Sequence, residues 1–179
     1  VNESFDKSEF SKVKLYIERF FWDTFCDYYL EIVKDRLYNS DRRGKKGKDS
    51  AQYVLYKSLL NIIKLLAPMM PYITEEIYQK YYIKNEKVKS VHLSGFPVYE
   101  KNDGKIEKLG DEALEVISKV RKFKADNKKS MKEHIKLTLN DTRLELFKED
   151  LEAVCNADVF FGKKFRIELK WIQNKRKNY

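Results

Sequence analysis

Between about Ser8 and Tyr38, apolar side chains recur at Phe10, Val13, Ile17, Phe21, Phe25, Tyr28 and Ile32, and steps of three and four predict a helix. A second stripe, Leu15, Trp22, Cys26, Tyr29, Val33 and Leu37, runs beside it. Two stripes predict a wide buried surface, that of a helix held between neighbours in a bundle. Positions 39–48 hold two glycines, five basic residues and no apolar side chain, which predicts a mobile basic connection. Asp49 followed by Gln52 has the spacing of a capped helix start. Val54, Leu55, Leu59, Ile62, Ile63 and Leu66 carry that second helix to Ala67. Pro68 and Pro71 end or kink it. Tyr72 to Tyr82 predicts a further short helix whose early Glu75 and Glu76 suit the helix dipole.

The stretch from Val91 to Val98, with Gly95 and Pro97, reads as an extended crossing. Helical spacing returns from Ile106 to Phe123, making about four helices in all. The period then changes to two. His134 to Leu139 alternates, and Phe165 to Trp171 alternates more cleanly, so both predict half-buried strands. Between them, Thr142 and Glu145 have the spacing of a capping box for a helix reaching about Val154. Val159 to Phe161 is expected to pair with the last strand across Gly162-Lys163 as a hairpin. These elements predict a mainly α fold, a helical domain over 1–126, and a small C-terminal α/β subdomain over 127–179. No internal repeat is visible.

Composition adds a direction to this outline. The chain has 179 residues, of which 42% are hydrophobic and 14% aromatic, enough apolar surface to exclude a disordered polymer. Its formal charge is +9, and the excess is local. Residues 35–49 hold 6 basic and 3 acidic side chains, 119–136 hold 8 and 2, and 163–177 hold 7 and 1. Basic patches of this kind point to a polyanion. No run approaches the ~20 apolar residues that a membrane-spanning helix needs, and the beginning, Val1-Asn2-Glu3-Ser4, lacks the basic and apolar regions of a secretory signal. A cytoplasmic setting is therefore expected, and the absence of an initial Met suggests a piece of something longer. Cys26 and Cys155 stand far apart within apolar periodic segments, where buried free thiols are expected.

Candidate catalytic chemistry is sparse. His92 and His134 have no cysteine or second histidine at metal-ligand spacing. No Gly-x-Ser-x-Gly elbow, Walker loop or Gly-x-Gly-x-x-Gly is present. The expectation is a binding module without an active site, metal or cofactor of its own.

Specific residues sharpen that expectation. Phe21-Trp22-Asp23-Thr24-Phe25-Cys26-Asp27-Tyr28-Tyr29-Leu30-Glu31, then Val54-Leu55-Tyr56, then Leu65-Leu66-Ala67-Pro68-Met69-Met70-Pro71-Tyr72-Ile73-Thr74-Glu75-Glu76-Ile77-Tyr78 together resemble the anticodon-binding domain of class I valyl-tRNA synthetases. Val91-His92-Leu93-Ser94-Gly95-Phe96-Pro97 is similar to the segment that follows in that family. The resemblance covers about 10–100, and the later part is similar to the C-terminal region of the archaeal-type enzymes. The Leu-Ala-Pro pattern is shared with isoleucyl and leucyl enzymes, and Lys34-Asp35-Arg36-Leu37-Tyr38 has an isoleucyl flavour, so the isoleucyl enzyme is the nearest alternative. A non-catalytic protein-interaction scaffold is the alternative of another class.

The resemblance implies a helical-bundle domain that recognises the anticodon stem-loop of valine tRNA. It also implies the remaining synthetase domains as partners and ATP as the parent enzyme's cosubstrate. The family's ATP-handling signatures are absent here, and its preceding helix with a Leu-Trp-Asn motif is expected to lie outside this chain. On the matched helix, Asp27, Leu30, Glu31 and Lys34 are the candidates for base recognition. Arg36, Arg42, Arg43, Lys45 and Lys46 are the candidates for phosphate contact, because cations set orientation on the backbone while unpaired bases expose readable edges.

Overall fold

The computed structural model describes residues 1–98 and 103–169. The chain divides into two units, Val1–Lys101 and Asn102–Tyr179. This boundary falls earlier than the one after 126 that the change of period suggests. The long helix before that change packs against the helix and turn of the α/β part and joins the second unit.

In the first unit, α1 (Asn2–Asp6) leads into α2 (Phe10–Arg19), a π-helical segment (Phe20–Tyr29) and α3 (Leu30–Tyr38). Backbone angles at the junctions Arg19, Phe20, Tyr29 and Leu30 are all right-handed helical, so 10–38 is one rod. The wide turns lie where the aromatics concentrate. Phe21 stacks on Phe25 and Phe25 on Tyr29, with centroids 6.2 and 5.9 Å apart. Burial does not follow either stripe: Phe10 of the first is 53% exposed, and Val33 of the second is buried. Val13, Ile17 and Phe25 join Ile62 in one core, while Leu15, Tyr16, Phe20 and Trp22 are exposed. The expected wide buried surface is narrowed where Leu15 and Trp22 face solvent, while Cys26 and Tyr29 of the second stripe pack against that same core and the rod packs mainly on α5 (Lys45–Leu66).

The basic connection is also corrected. It is not a mobile loop but α4 (Ser40–Arg43), a bend at Gly44, and the first turn of α5. Gly44 has φ 76°, a left-handed conformation that glycine adopts without steric cost. Helix α5 thus begins at Lys45 and not at an Asp49 cap. Pro71 opens α6 (Pro71–Tyr81) at its first turn, where a missing N–H costs nothing. The crossing after α6 contains a 3₁₀ turn, Val91–Leu93, before extended backbone. A second core of the unit unites Leu60, Ile63, Ala67, Tyr78, Tyr82 and Val91.

The second unit begins with α7 (Gly104–Asp126), capped by the Asp103 carboxylate, which accepts from the Lys105 N–H at 3.0 Å. Strands β1 (Ile135–Leu139), β2 (Ala157–Phe161) and β3 (Arg166–Leu169) form a sheet of order β2-β1-β3. Strand β2 is parallel to β1, reached through a 3₁₀ turn (Thr142–Phe147) and α8 (Lys148–Cys155), while β3 is antiparallel to β1. The expected Thr142–Glu145 capping box is replaced by Asp141, whose carboxylate accepts from the Arg143 N–H at 2.9 Å to start the 3₁₀ turn. Lys170 and Trp171 of the expected last strand lie outside the described residues.

The expected hairpin of 159–161 with the last strand is overturned, since β1 separates the two. The chain passes from β2 to β3 around the end of β1, where Gly162 N–H donates to Leu139 O at 2.8 Å. A Cβ at Gly162 would lie 2.9 Å from Thr138 Cγ2, and a β-branched side chain has little rotamer freedom to yield. Gly162→Ala is expected to destabilise this unit by about 1–3 kcal/mol, and Thr138→Ser, which removes the obstructing methyl, to restore much of the loss. Thermal unfolding of the single and double variants checks this.

Candidate nucleic-acid interface

The candidate base-reading residues occupy a short stretch of the rod. Asp27 is exposed on the π segment, and Lys34 is exposed on α3, where it is ion-paired with half-buried Glu31. Leu30 is half-buried and packs against the core of Val13, Ile17, Phe25 and Ile62, so its side chain divides between packing and surface. Spacings of three, four and seven place these four residues along one side of a helical rod.

The candidate phosphate residues are organised by a carboxylate absent from the sequence-based set. Asp35 accepts from Asn39 Nδ2 at 2.8 Å and from Arg42 Nη2 at 2.5 Å, and its Oδ2 lies 3.6 Å from Arg43 Nε. One acid thereby fastens α4 to the end of α3. The Arg43 side chain is only 7% exposed and serves this junction, whereas Arg42 keeps a largely exposed side chain. Arg36 is half-buried on α3. Lys45 and Lys46 are exposed in the first turn of α5.

That first turn has an unusual charge arrangement. It contains no acidic residue, and its N-cap, Gly44, offers no side chain to the leading N–H groups. Lysines placed at the positive end of a helix dipole are disfavoured by about 0.3–1 kcal/mol each. An anion at the same place is favoured by the dipole, the N–H groups and the lysines together.

One further exposed aromatic, absent from the sequence-based set, closes the helix before α4. Tyr38, the last residue of α3, is 81% exposed. It belongs to neither apolar stripe, and the chain turns into α4 just beyond it.

The other basic segments separate into structural and exposed residues. In 119–136, Lys124 is 1% exposed and donates from Nζ to Cys155 O at 2.6 Å and Met131 O at 2.9 Å. Burial pushes its pKa down from the ordinary lysine value. Lys122, Lys128 and Lys129 are exposed. In 163–177, Lys163, Lys164 and Arg166 are exposed, and 170–177 lie outside the described residues.

Groups able to do chemistry are committed elsewhere. Glu75 accepts from Ser90 Oγ at 2.8 Å, Val91 N–H at 3.0 Å and Gln79 Nε2 at 2.6 Å, so it clamps the crossing segment to α6. Burial alone would raise its pKa, but these hydrogen bonds and nearby His92 hold it below the ordinary carboxylate value. Cys26 and Cys155 are free thiols. Burial pushes Cys155 up to about 12, which keeps it protonated and unreactive. Among the described residues, no group of three metal-ligating side chains occurs and no helix is long and apolar enough to cross a membrane.

Comparison with known proteins gives the family. The family described as "Anticodon-binding domain of tRNA ligase" matches residues 1–139. The valine–tRNA ligase of Wolbachia pipientis wMel is 40% identical over 167 residues, covering 88% of this chain and 17% of that protein. That of Ehrlichia ruminantium (strain Gardel) is 40% identical over 163 residues, covering 87% and 20%. That of Rickettsia felis is 41% identical over 155 residues, covering 84% and 18%. The chain thus spans no more than about a fifth of these curated relatives, and the similarity continues past the helical unit into the sheet. With its helical rod, Asp35-fastened basic junction and Leu-Ala-Pro to Glu75 segment all inside the matched region, the chain belongs to the anticodon-binding domains of the class I valyl-tRNA synthetase family.

Proposed function

We propose that this chain binds the anticodon arm of a valine tRNA on behalf of a parent synthetase. The observation that carries the reading is the start of α5, where Lys45 and Lys46 crowd the positive end of a helix with no acidic residue or side-chain cap. An RNA phosphate turns that unfavourable arrangement into a favourable one. Arg42 and Arg36 extend the cationic surface, while Asp27, Glu31 and Lys34 offer polar contacts to unpaired base edges. Tyr38 supplies a stacking surface, worth roughly 1–3 kcal/mol per base. The names of the relatives favour valine over isoleucine. Aminoacylation and its ATP belong, in this reading, to the remaining domains of a cytoplasmic enzyme.

The test is binding to a valine tRNA transcript and to the same transcript with its anticodon replaced, over a salt series. Clear loss on anticodon replacement is expected, and equal affinity for both transcripts would overturn the reading. Lys45→Ala with Lys46→Ala is expected to weaken both complexes equally and to reduce the salt slope by about 2.

A further inference from the structure

The sheet of the second unit has two unlike faces. Ile135, Leu137, Leu139, Ala157 and Val159 are buried on one side. The alternate positions form the other side, where register places Phe160 opposite Thr138 and Thr138 opposite Arg166 in one cross-strand row. Directly opposite residues share a face, and the open face of such a sheet is ordinarily polar. Phe160 breaks that rule, with 48% of its surface exposed.

The surroundings of the ring give the exception a chemistry. Lys136 Nζ lies 4.9 Å from the Phe160 centroid. The two acids on this face, Asp158 and Glu168, lie in register opposite Lys136, and each has a further neighbour. Asp158 Oδ1 lies 3.2 Å from His134 Nε2, and Glu168 Oε1 lies 3.3 Å from Arg166 Nη1. Lys163 and Lys164, at the crossing beside the row, are exposed and have no acidic partner among the described residues. An aromatic ring in a cationic rim matches a ligand that carries an anion and a flat π-face on one unit. An unpaired nucleotide is such a ligand, and sequence-tolerant RNA platforms combine these same two elements. A purely apolar protein partner would not use the cations, and a purely acidic one would not use the ring.

We propose that the open face of the second-unit sheet is an RNA contact separate from the anticodon surface. It takes an unpaired nucleotide with its base on Phe160 and its phosphate beside Lys136 and Arg166. The contact is independent of which bases the first unit reads.

The test uses the full chain and a fluorescein-labelled single-stranded oligouridylate, followed by anisotropy at low salt. Phe160→Ala is expected to weaken binding about 5- to 100-fold. Phe160→Tyr, which keeps the π-face, should bind like the parent chain, and unchanged thermal unfolding should show that both variants fold. The preference between the two tRNA transcripts should be the same in Phe160→Ala as in the parent chain, so failure of the anticodon reading and failure of this one give different results. Parent chain that does not bind the oligouridylate, or Phe160→Ala that binds it equally well, overturns the proposal. Displacement of the oligouridylate by polyglutamate as readily as by unlabelled RNA also overturns it, since simple anion attraction would then suffice.

Discussion

Glu75→Ala is expected to lower the stability of the first unit by about 3 kcal/mol, and its thermal midpoint by roughly 12–24 °C at the size of this unit. The carboxylate is the shared acceptor for the Ser90 hydroxyl and the Val91 N–H, and Val91 is itself a buried core residue. Removing the acceptor strands an N–H in a buried segment, which costs more than an ordinary hydrogen bond contributes. The same geometry sets a pH dependence. Because the folded-state pKa lies below the ordinary value, the contribution is complete above about pH 4.5 and is lost as pH falls through the folded pKa. Glu75→Gln should therefore unfold with a flatter acid limb than the parent chain. Thermal melts from pH 3 to 7 check both statements, and a Glu75→Ala midpoint within a few degrees of the parent's would sink the clamp.

Lys124→Met is the corresponding experiment in the second unit, with an expected loss of about 2–4 kcal/mol. Methionine fills a similar volume, but it leaves the Cys155 and Met131 carbonyls without the ammonium that now satisfies them. The Cys155 carbonyl belongs to the last turn of α8, the negative end of that helix's dipole, so a cation is the favoured partner there. Burial of the charge works against this gain and pulls the folded-state pKa below 10.5. The unfolded chain then holds the proton more tightly. Relative to Lys124→Met, the parent chain should gain stability as pH rises from the folded pKa towards 10.5. Urea unfolding at pH 7 and pH 10 measures both differences. A Lys124→Met chain as stable as the parent at pH 7 would show that the two carbonyls find other donors.

What the residues disclosed before the structure depended on how local each determinant is. The helix over Tyr72 to Tyr82, the Ile62, Ile63 and Leu66 stripe and the alternation of Ile135, Leu137 and Leu139 all rest on determinants within a few positions, and their elements appear close to where the period places them. The α4 turn was illegible because the force that forms it is not a period. It is one carboxylate, Asp35, collecting Asn39, Arg42 and Arg43. The sheet order was missed for a related reason. Gly162-Lys163 looks like a hairpin turn, and only the contact of Gly162 with β1 shows a chain passing around a strand end.

The anticodon candidates were legible as a motif, yet their division of labour was not. Sequence makes Arg42 and Arg43 equivalent, whereas packing exposes the first and buries the second. Tyr38 and Phe160 were not singled out, because periodicity marks which side of an element is apolar and does not show which of the remaining aromatics stand in solvent.

The π-helical segment has a consequence for the direction in which the candidate base-reading side chains point. Each α-helical residue advances the azimuth by about 100°, and a wider turn advances it by less. Across Phe20–Tyr29 the lag accumulates, so the bearing of Glu31 and Lys34 is set relative to the buried anchors Val13 and Ile17 by the number of wide turns between them. The segment is in effect a phase adjuster: aromatic stacking at Phe21, Phe25 and Tyr29 fixes an angle, and that angle sets the bearing of a candidate surface that none of those three rings belongs to.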